Sequence, residues 1–97
     1  NVAVLHCPTI KPLDEATILA EVRKPGRLVV VAENHSVIGG LGEAVAGLLL
    51  REGAAPAKFR MLGLPDAFLD AGALPTLHDR YGISAEKVAA SLKAWLA

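Results

Sequence analysis

A three-layer α/β/α sandwich around a mostly parallel sheet is the fold this sequence predicts. Short strand-like runs alternate with amphipathic helical stretches in the order β-α-β-α-β, and helices follow. The central run, Leu28-Val29-Val30-Val31-Ala32, has no polar residue between its apolar ones, so helices are expected on both of its faces. Glycine and proline punctuate the joints, at Pro25-Gly26, Gly39-Gly40, Gly53 and Gly82.

The elements follow in order. Val2-Ala3-Val4-Leu5 reads as a short strand, stopped by Pro8 and Pro12. Asp14 suits the N-cap of a first helix, with Glu15 in the first turn, and Leu13 and Ile18 form a hydrophobic staple. Ile18, Leu19 and Val22 are its inward face; Glu21, Arg23 and Lys24 lie outside. Pro25-Gly26 ends it and leads to the central strand, which is expected to stop at Glu33. Glu33-Asn34-His35-Ser36 and the following glycines form a polar loop. Leu41, Ala44, Val45, Leu48 and Leu49 then recur as one helical stripe. Gly53 closes that helix and Pro56 keeps it from resuming. Lys58 to Leu62 alternates polar and apolar, as an edge strand with one wet face does. Residues 63–75 read as irregular, with a short helical turn at 66–70. A short helix over 75–81 ends at Gly82. Ser84 caps the last helix, whose stripe is Val88, Leu92, Trp95 and Leu96.

The 97 residues form one domain at most. A chain of this size buries roughly 60–65% of its unfolded surface, enough for one modest core. Ten basic and ten acidic residues cancel, so net charge draws it to neither nucleic acid nor an anionic membrane. No apolar run reaches the ~18–20 residues of a membrane helix, and the N-terminus has no basic segment of a signal peptide. With Cys7 the only cysteine, a reducing cytoplasm is expected. The apolar composition suits a chain that docks on something else; an alanine-rich composition bias explains it equally well. The first residue is not Met and begins an apparent strand, so the chain is expected to be an N-terminally truncated piece of something longer.

Three ordered segments carry a family resemblance. Thr9-Ile10-Lys11-Pro12-Leu13-Asp14, then Glu33-Asn34-His35-Ser36-Val37-Ile38-Gly39-Gly40-Leu41-Gly42, then Gly63-Leu64-Pro65-Asp66-Ala67-Phe68 together resemble the C-terminal domain of transketolase and its thiamine-diphosphate-dependent relatives. The resemblance implies a single domain over residues 1–97 that belongs to an enzyme of the pentose phosphate pathway type. That enzyme transfers a two-carbon ketol unit between sugar phosphates. Thiamine diphosphate and a divalent metal are held in such enzymes by a Gly-Asp-Gly…Asn motif and a pyrimidine-binding domain, neither of which is among these residues. The fragment is thus expected to bind no cofactor and to be inactive alone. Its expected partners are the pyrimidine- and diphosphate-binding domains or subunits, within a homo-oligomer. The family's domain also has a strand between the counterparts of Val2–Leu5 and Leu28–Ala32. Either these two strands close up here, or the missing piece comes from residues outside this chain.

Ligands of open α/β sheets gather at the carboxyl ends of strands. The candidate residues there are Glu33, Asn34, His35, Ser36, Gly39, Gly40 and Gly42. Read plainly, they cap backbone groups, anchor the turn and touch a partner subunit. Read functionally, the Gly39–Gly42 helix start holds a small phosphorylated ligand or another anion on its free amides, in a free-standing module. The glycines match neither the dinucleotide fingerprint nor a P-loop. A third reading uses Cys7 as a nucleophile with His6 or His35. The three histidines have no metal-ligand spacing, and no catalytic or metal-binding residue is assigned.

Overall fold

The computed structural model describes all 97 residues. Helix α1 spans Glu15–Val22, strand β1 Leu28–Ser36, helix α2 Leu41–Arg51 and strand β2 Lys58–Leu64, with helices α3 at Leu74–Arg80 and α4 at Ala85–Leu96. β1 and β2 pair in parallel, as the α/β pattern requires. α2 is the crossover between them.

Local signals set the helix ends. The Asp14 carboxylate accepts hydrogen bonds from the Thr17 amide (3.2 Å) and hydroxyl (2.7 Å), fixing the start of α1. The Ser84 hydroxyl caps α4 by accepting from the Lys87 amide. At the end of α2, Gly53 takes φ +61°, the Ala54 amide donates to the Leu49 carbonyl and the Gly53 amide to Leu50. That is a Schellman close, which a side chain at Gly53 would strain.

Alternation along the strands sorts their residues onto two faces. Val29, Val31, Phe59 and Met61 share one face in register. There Val31 joins Ile18 and Val22 of α1 and Val45, Leu48 and Leu49 of α2 in the core. The β2 residues of the other face, Lys58 and Arg60, meet α4. The Lys58 ammonium donates to the Trp95 carbonyl (2.7 Å) at the helix C-terminus, and the Arg60 guanidinium lies 6.0 Å from the centre of the Trp95 ring. So helices lie on both sides of a small sheet, and the three-layer α/β arrangement expected from sequence is present.

Four local expectations are corrected. Val2–Leu5 does not join the sheet, which has two strands only; Val2 and Val4 stand 71% and 84% exposed. The segment pairs with neither free edge of the two-stranded sheet, so its amides gain no ladder hydrogen bonds. The two strands therefore do not close up. Glu33–Ser36 is not loop but the end of β1. Gly63-Leu64 likewise continues β2, and residues 66–70 are a bend at 66–67 followed by irregular chain rather than a helical turn. Finally, β1 is not covered throughout: Val31 is buried, Leu28 to Val30 only partly, and Ala32 is exposed.

Coverage is thin because the fold is a slab, 40 × 32 × 19 Å. Only 9 of 97 residues are buried, and the surface of 6570 Å² is roughly a quarter above the ~5,300 Å² expected of a compact monomer of 10.1 kDa. The excess includes large apolar side chains, among them Ile38, Leu50, Phe68 and Leu74.

A surface cluster braces the turn into β1. Glu21 accepts from Lys24 (2.7 Å) and Arg27 (3.2 Å). The Lys24 hydrogen bond holds the Glu21 carboxyl below its usual value; partial desolvation opposes this, and the Lys24 and Arg27 charges reinforce it. A depressed carboxyl stabilises the fold above its unfolded pKa and loses that contribution as pH falls through the folded one. The stability gap between wild type and Glu21→Gln should therefore shrink on acidification below the usual carboxylate range, read from urea midpoints across pH. In the same assay, Leu48→Ala should cost about 3 kcal/mol, because Leu48 is fully buried. Leu50→Ala, two residues along and 83% exposed, should stay within about 0.5 kcal/mol.

Candidate functional site

The polar end of β1 is built by a mismatch between the strands. Pairing runs evenly from Leu28↔Lys58 to Ala32↔Leu62, then jumps to Ser36↔Leu64. β1 spends four residues where β2 spends two. The extra length bulges and re-aims the side chains of Glu33 to His35. Gly63 makes this possible: a Cβ there would stand 2.8 Å from the His35 carbonyl oxygen and 2.9 Å from Val37 Cγ1. The Val37 amide closes the bulge on the Leu64 carbonyl.

Glu33 is thereby directed at the start of α2. Its Oε1 accepts from the Leu41 amide and its Oε2 from the Gly42 amide, each at 2.8 Å. The side chain is 8% exposed. A helix N-terminus presents unpaired amides and a partial positive charge, so this two-pronged carboxylate is both hydrogen-bonded and charge-matched. Gly40 and Gly42 make room for it. A Cβ at Gly40 would fall 2.0 Å from Glu33 Oε1, and one at Gly42 would fall 2.6 Å from Met61 Sδ.

The remaining candidate residues divide. The His35 ring donates from Nδ1 to the Ser36 carbonyl (2.7 Å) and lies 3.7 Å from Glu33 Oε1, with the side chain 60% exposed. The Ser36 hydroxyl accepts from the Ile38 amide, and the Gly39 amide donates to the Glu43 carboxylate. Glu33, His35, Ser36, Gly39, Gly40 and Gly42 therefore form one connected turn. Asn34 is exposed and stands apart from it.

This geometry bears directly on the anion-binding reading. The amides of Leu41 and Gly42, which would hold a phosphate, already hold Glu33. An incoming anion would meet a carboxylate rather than free donors. The thiol reading also lacks support. Cys7, His6 and His35 line one open cleft of about 420 Å³, but Cys7 packs against the core and the Nδ1 proton of His35 is directed to Ser36. No three His, Cys, Asp or Glu side chains converge where a metal could sit. The sequence pointed to the polar cluster and to Gly63 near it, but read Glu33–Ser36 as loop and missed Met61 as a support. A glycine within an alternating strand was the available signal.

Glu33→Ala should cost about 3 kcal/mol, since two part-buried amides lose a charged acceptor. Gly40→Ala should be similarly damaging through collision with the same carboxylate. The double variant should be less destabilised than the sum of the two, because the alanine at position 33 removes what the new methyl strikes. Chemical denaturation of the four proteins checks this; strict additivity would mean that the contact is not shared.

Comparison with known proteins gives this turn its context. Residues 1–88 match the family model described as transketolase, C-terminal domain. An uncharacterized transketolase family protein, y4mN of Sinorhizobium fredii, is 71% identical over 99% of the chain, which spans 28% of that protein. The 1-deoxy-D-xylulose-5-phosphate synthase of Syntrophotalea carbinolica is 42% identical over 99% of the chain, which spans 15% of it. Among solved structures, a split-gene transketolase described as an inactive β4 tetramer superposes with a TM-score of 0.72 and 36% identity, over 91% of this chain and 27% of that one. The parallel pair, the glycine-started helix and the whole-length match agree: this chain belongs to the transketolase C-terminal domain family.

Proposed function

We propose that this chain is the C-terminal interface domain of a thiamine-diphosphate-dependent transketolase in which the catalytic segments lie elsewhere in the enzyme. The observation that carries the reading is a family match over residues 1–88 on a domain whose glycine-opened helix start, at α2, is spent on its own Glu33. Thiamine diphosphate supplies an acyl-anion equivalent when bound, and the protein's part is to place it. The residues here do not fit a diphosphate and its metal: no carboxylate cluster converges, and the amides suited to a phosphate are occupied. The role left to this chain is to lean on neighbours through its thinly covered sheet and exposed apolar side chains.

Transketolase chemistry is favoured over synthase chemistry by length as well as identity. The more similar relative is the shorter protein, since the chain spans 28% of it and 15% of the synthase. The split-gene structure, spanned to 27%, fits the same size class. The enzyme we propose therefore has two subunit types, moves a two-carbon ketol unit between sugar phosphates, and works as an oligomer. Calorimetry with thiamine diphosphate and magnesium should detect no micromolar binding to the isolated chain. Ketol transfer should appear only when the segments carrying the cofactor motifs are supplied. Turnover by the chain alone would end the reading.

A further inference from the structure

Cations collect at one end of the sheet without a matching set of acids. A cleft of about 270 Å³ lies between the turn from α1 into β1 and the turn from α2 into β2, residues 22–27 and 53–57. Arg23, Lys24 and Arg27 line it, and no carboxylate does. Glu21 serves both Lys24 and Arg27, while Arg23 forms no ion pair. Three positive charges and one negative leave an excess of two. Glu52, the residue before Gly53, is exposed and outside the lining.

The same turns supply backbone donors. Gly26 takes φ +73°, and the consecutive amides of Gly26 and Arg27 donate to no group of the chain. The amides of Ala55 and Ala57 in the facing turn are equally free. Consecutive free amides in such a turn, beside guanidinium groups, make an anion-binding concavity. Helix ends alone do not account for the cations. The last turn of α1 holds none, and Arg27 stands four residues past its C-cap, beyond the reach of the helix dipole. The C-termini of α1 and α2 adjoin the cleft with about half a negative charge each, which the two excess cations outweigh.

Size and charge narrow the ligand. A phosphate monoester carries about −1.5 to −2 at neutral pH, which matches the excess, and guanidinium forks suit its oxygens. The volume is below the ~300–1,000 Å³ of sites that enclose drug-sized ligands, so it fits one phosphate with a few attached atoms rather than a nucleotide. The cations stand within one turn and not along a stripe, which does not suit a polyanion.

We infer that this cleft binds a phosphate group, free or as the head of a small monoester, on Arg23, Arg27 and the Gly26 turn. Its place at the amino ends of both strands, away from the Glu33 corner, makes it independent of the interface reading above. The test is hydrogen exchange on the full-length protein as inorganic phosphate replaces chloride at constant ionic strength, in wild type, Arg23→Gln, Arg23→Lys and Lys87→Gln. Amides of 22–27 and 53–57 should slow, with half-saturation in the millimolar range. Arg23→Gln should raise that concentration about tenfold, and Arg23→Lys should raise it less. Lys87→Gln, the same charge change on an exposed residue of α4, should leave it unchanged. Arg23 is exposed and unpaired, so its variants should keep the wild-type urea midpoint. Glycerol 3-phosphate identifies the source: tighter binding than inorganic phosphate assigns the monoester, equal or weaker binding the free anion, and either supports the site. Exchange unchanged through the millimolar range overturns it, as does an equal response in Arg23→Gln and wild type. Weakening by Lys87→Gln as large as that by Arg23→Gln reduces the effect to net charge and overturns it too.

Discussion

The grip of the Glu33 carboxylate on the first turn of α2 is the constraint from which the rest of the site follows. It joins the end of β1 to the start of the crossover helix with two 2.8 Å hydrogen bonds to consecutive amides. Strand end, bulge and helix are thus one unit. The glycines at 40 and 42 and the irregular pairing between Ala32 and Ser36 are the space and the reach that this contact needs. A carboxylate 8% exposed is unfavourable without partners, so its burial is intelligible only with the helix N-terminus beside it.

The same contact determines what the turn can do. A glycine-opened helix at the carboxyl end of a strand is where an α/β protein would place a phosphate. Here the anion is supplied from inside the chain. The turn becomes a rigid corner, and the features facing outward are an exposed imidazole, an exposed asparagine and Ile38. Such a corner suits contact with a neighbouring domain better than capture of a small ligand.

The sheet tells the same story on a larger scale. Two strands and a core of seven apolar residues leave β1 half-covered and Val2–Leu5 without a lateral partner. The loop carrying Phe68 is braced yet turned away from the core. The domain thus leaves more surface open than a compact chain of its mass, with large apolar side chains in it.

Much of this was readable in the residues. Asp14 and Ser84 as caps, Gly53 as a helix end, the stripes of α1 and α2 and the alternation of β2 are short-range effects, governed by neighbours within a turn or two. They need no tertiary partner and so appear in sequence. The polar turn was visible as a cluster for the same reason. What sequence could not decide was which atoms the cluster would face. The Glu33 contact depends on a bulge whose room is made by Gly63, thirty residues away on another strand, and the fate of Val2–Leu5 depends on whether a lateral strand is present. Burial and strand pairing are set by what arrives from distant parts of the chain, and only the assembled structure brings those parts together.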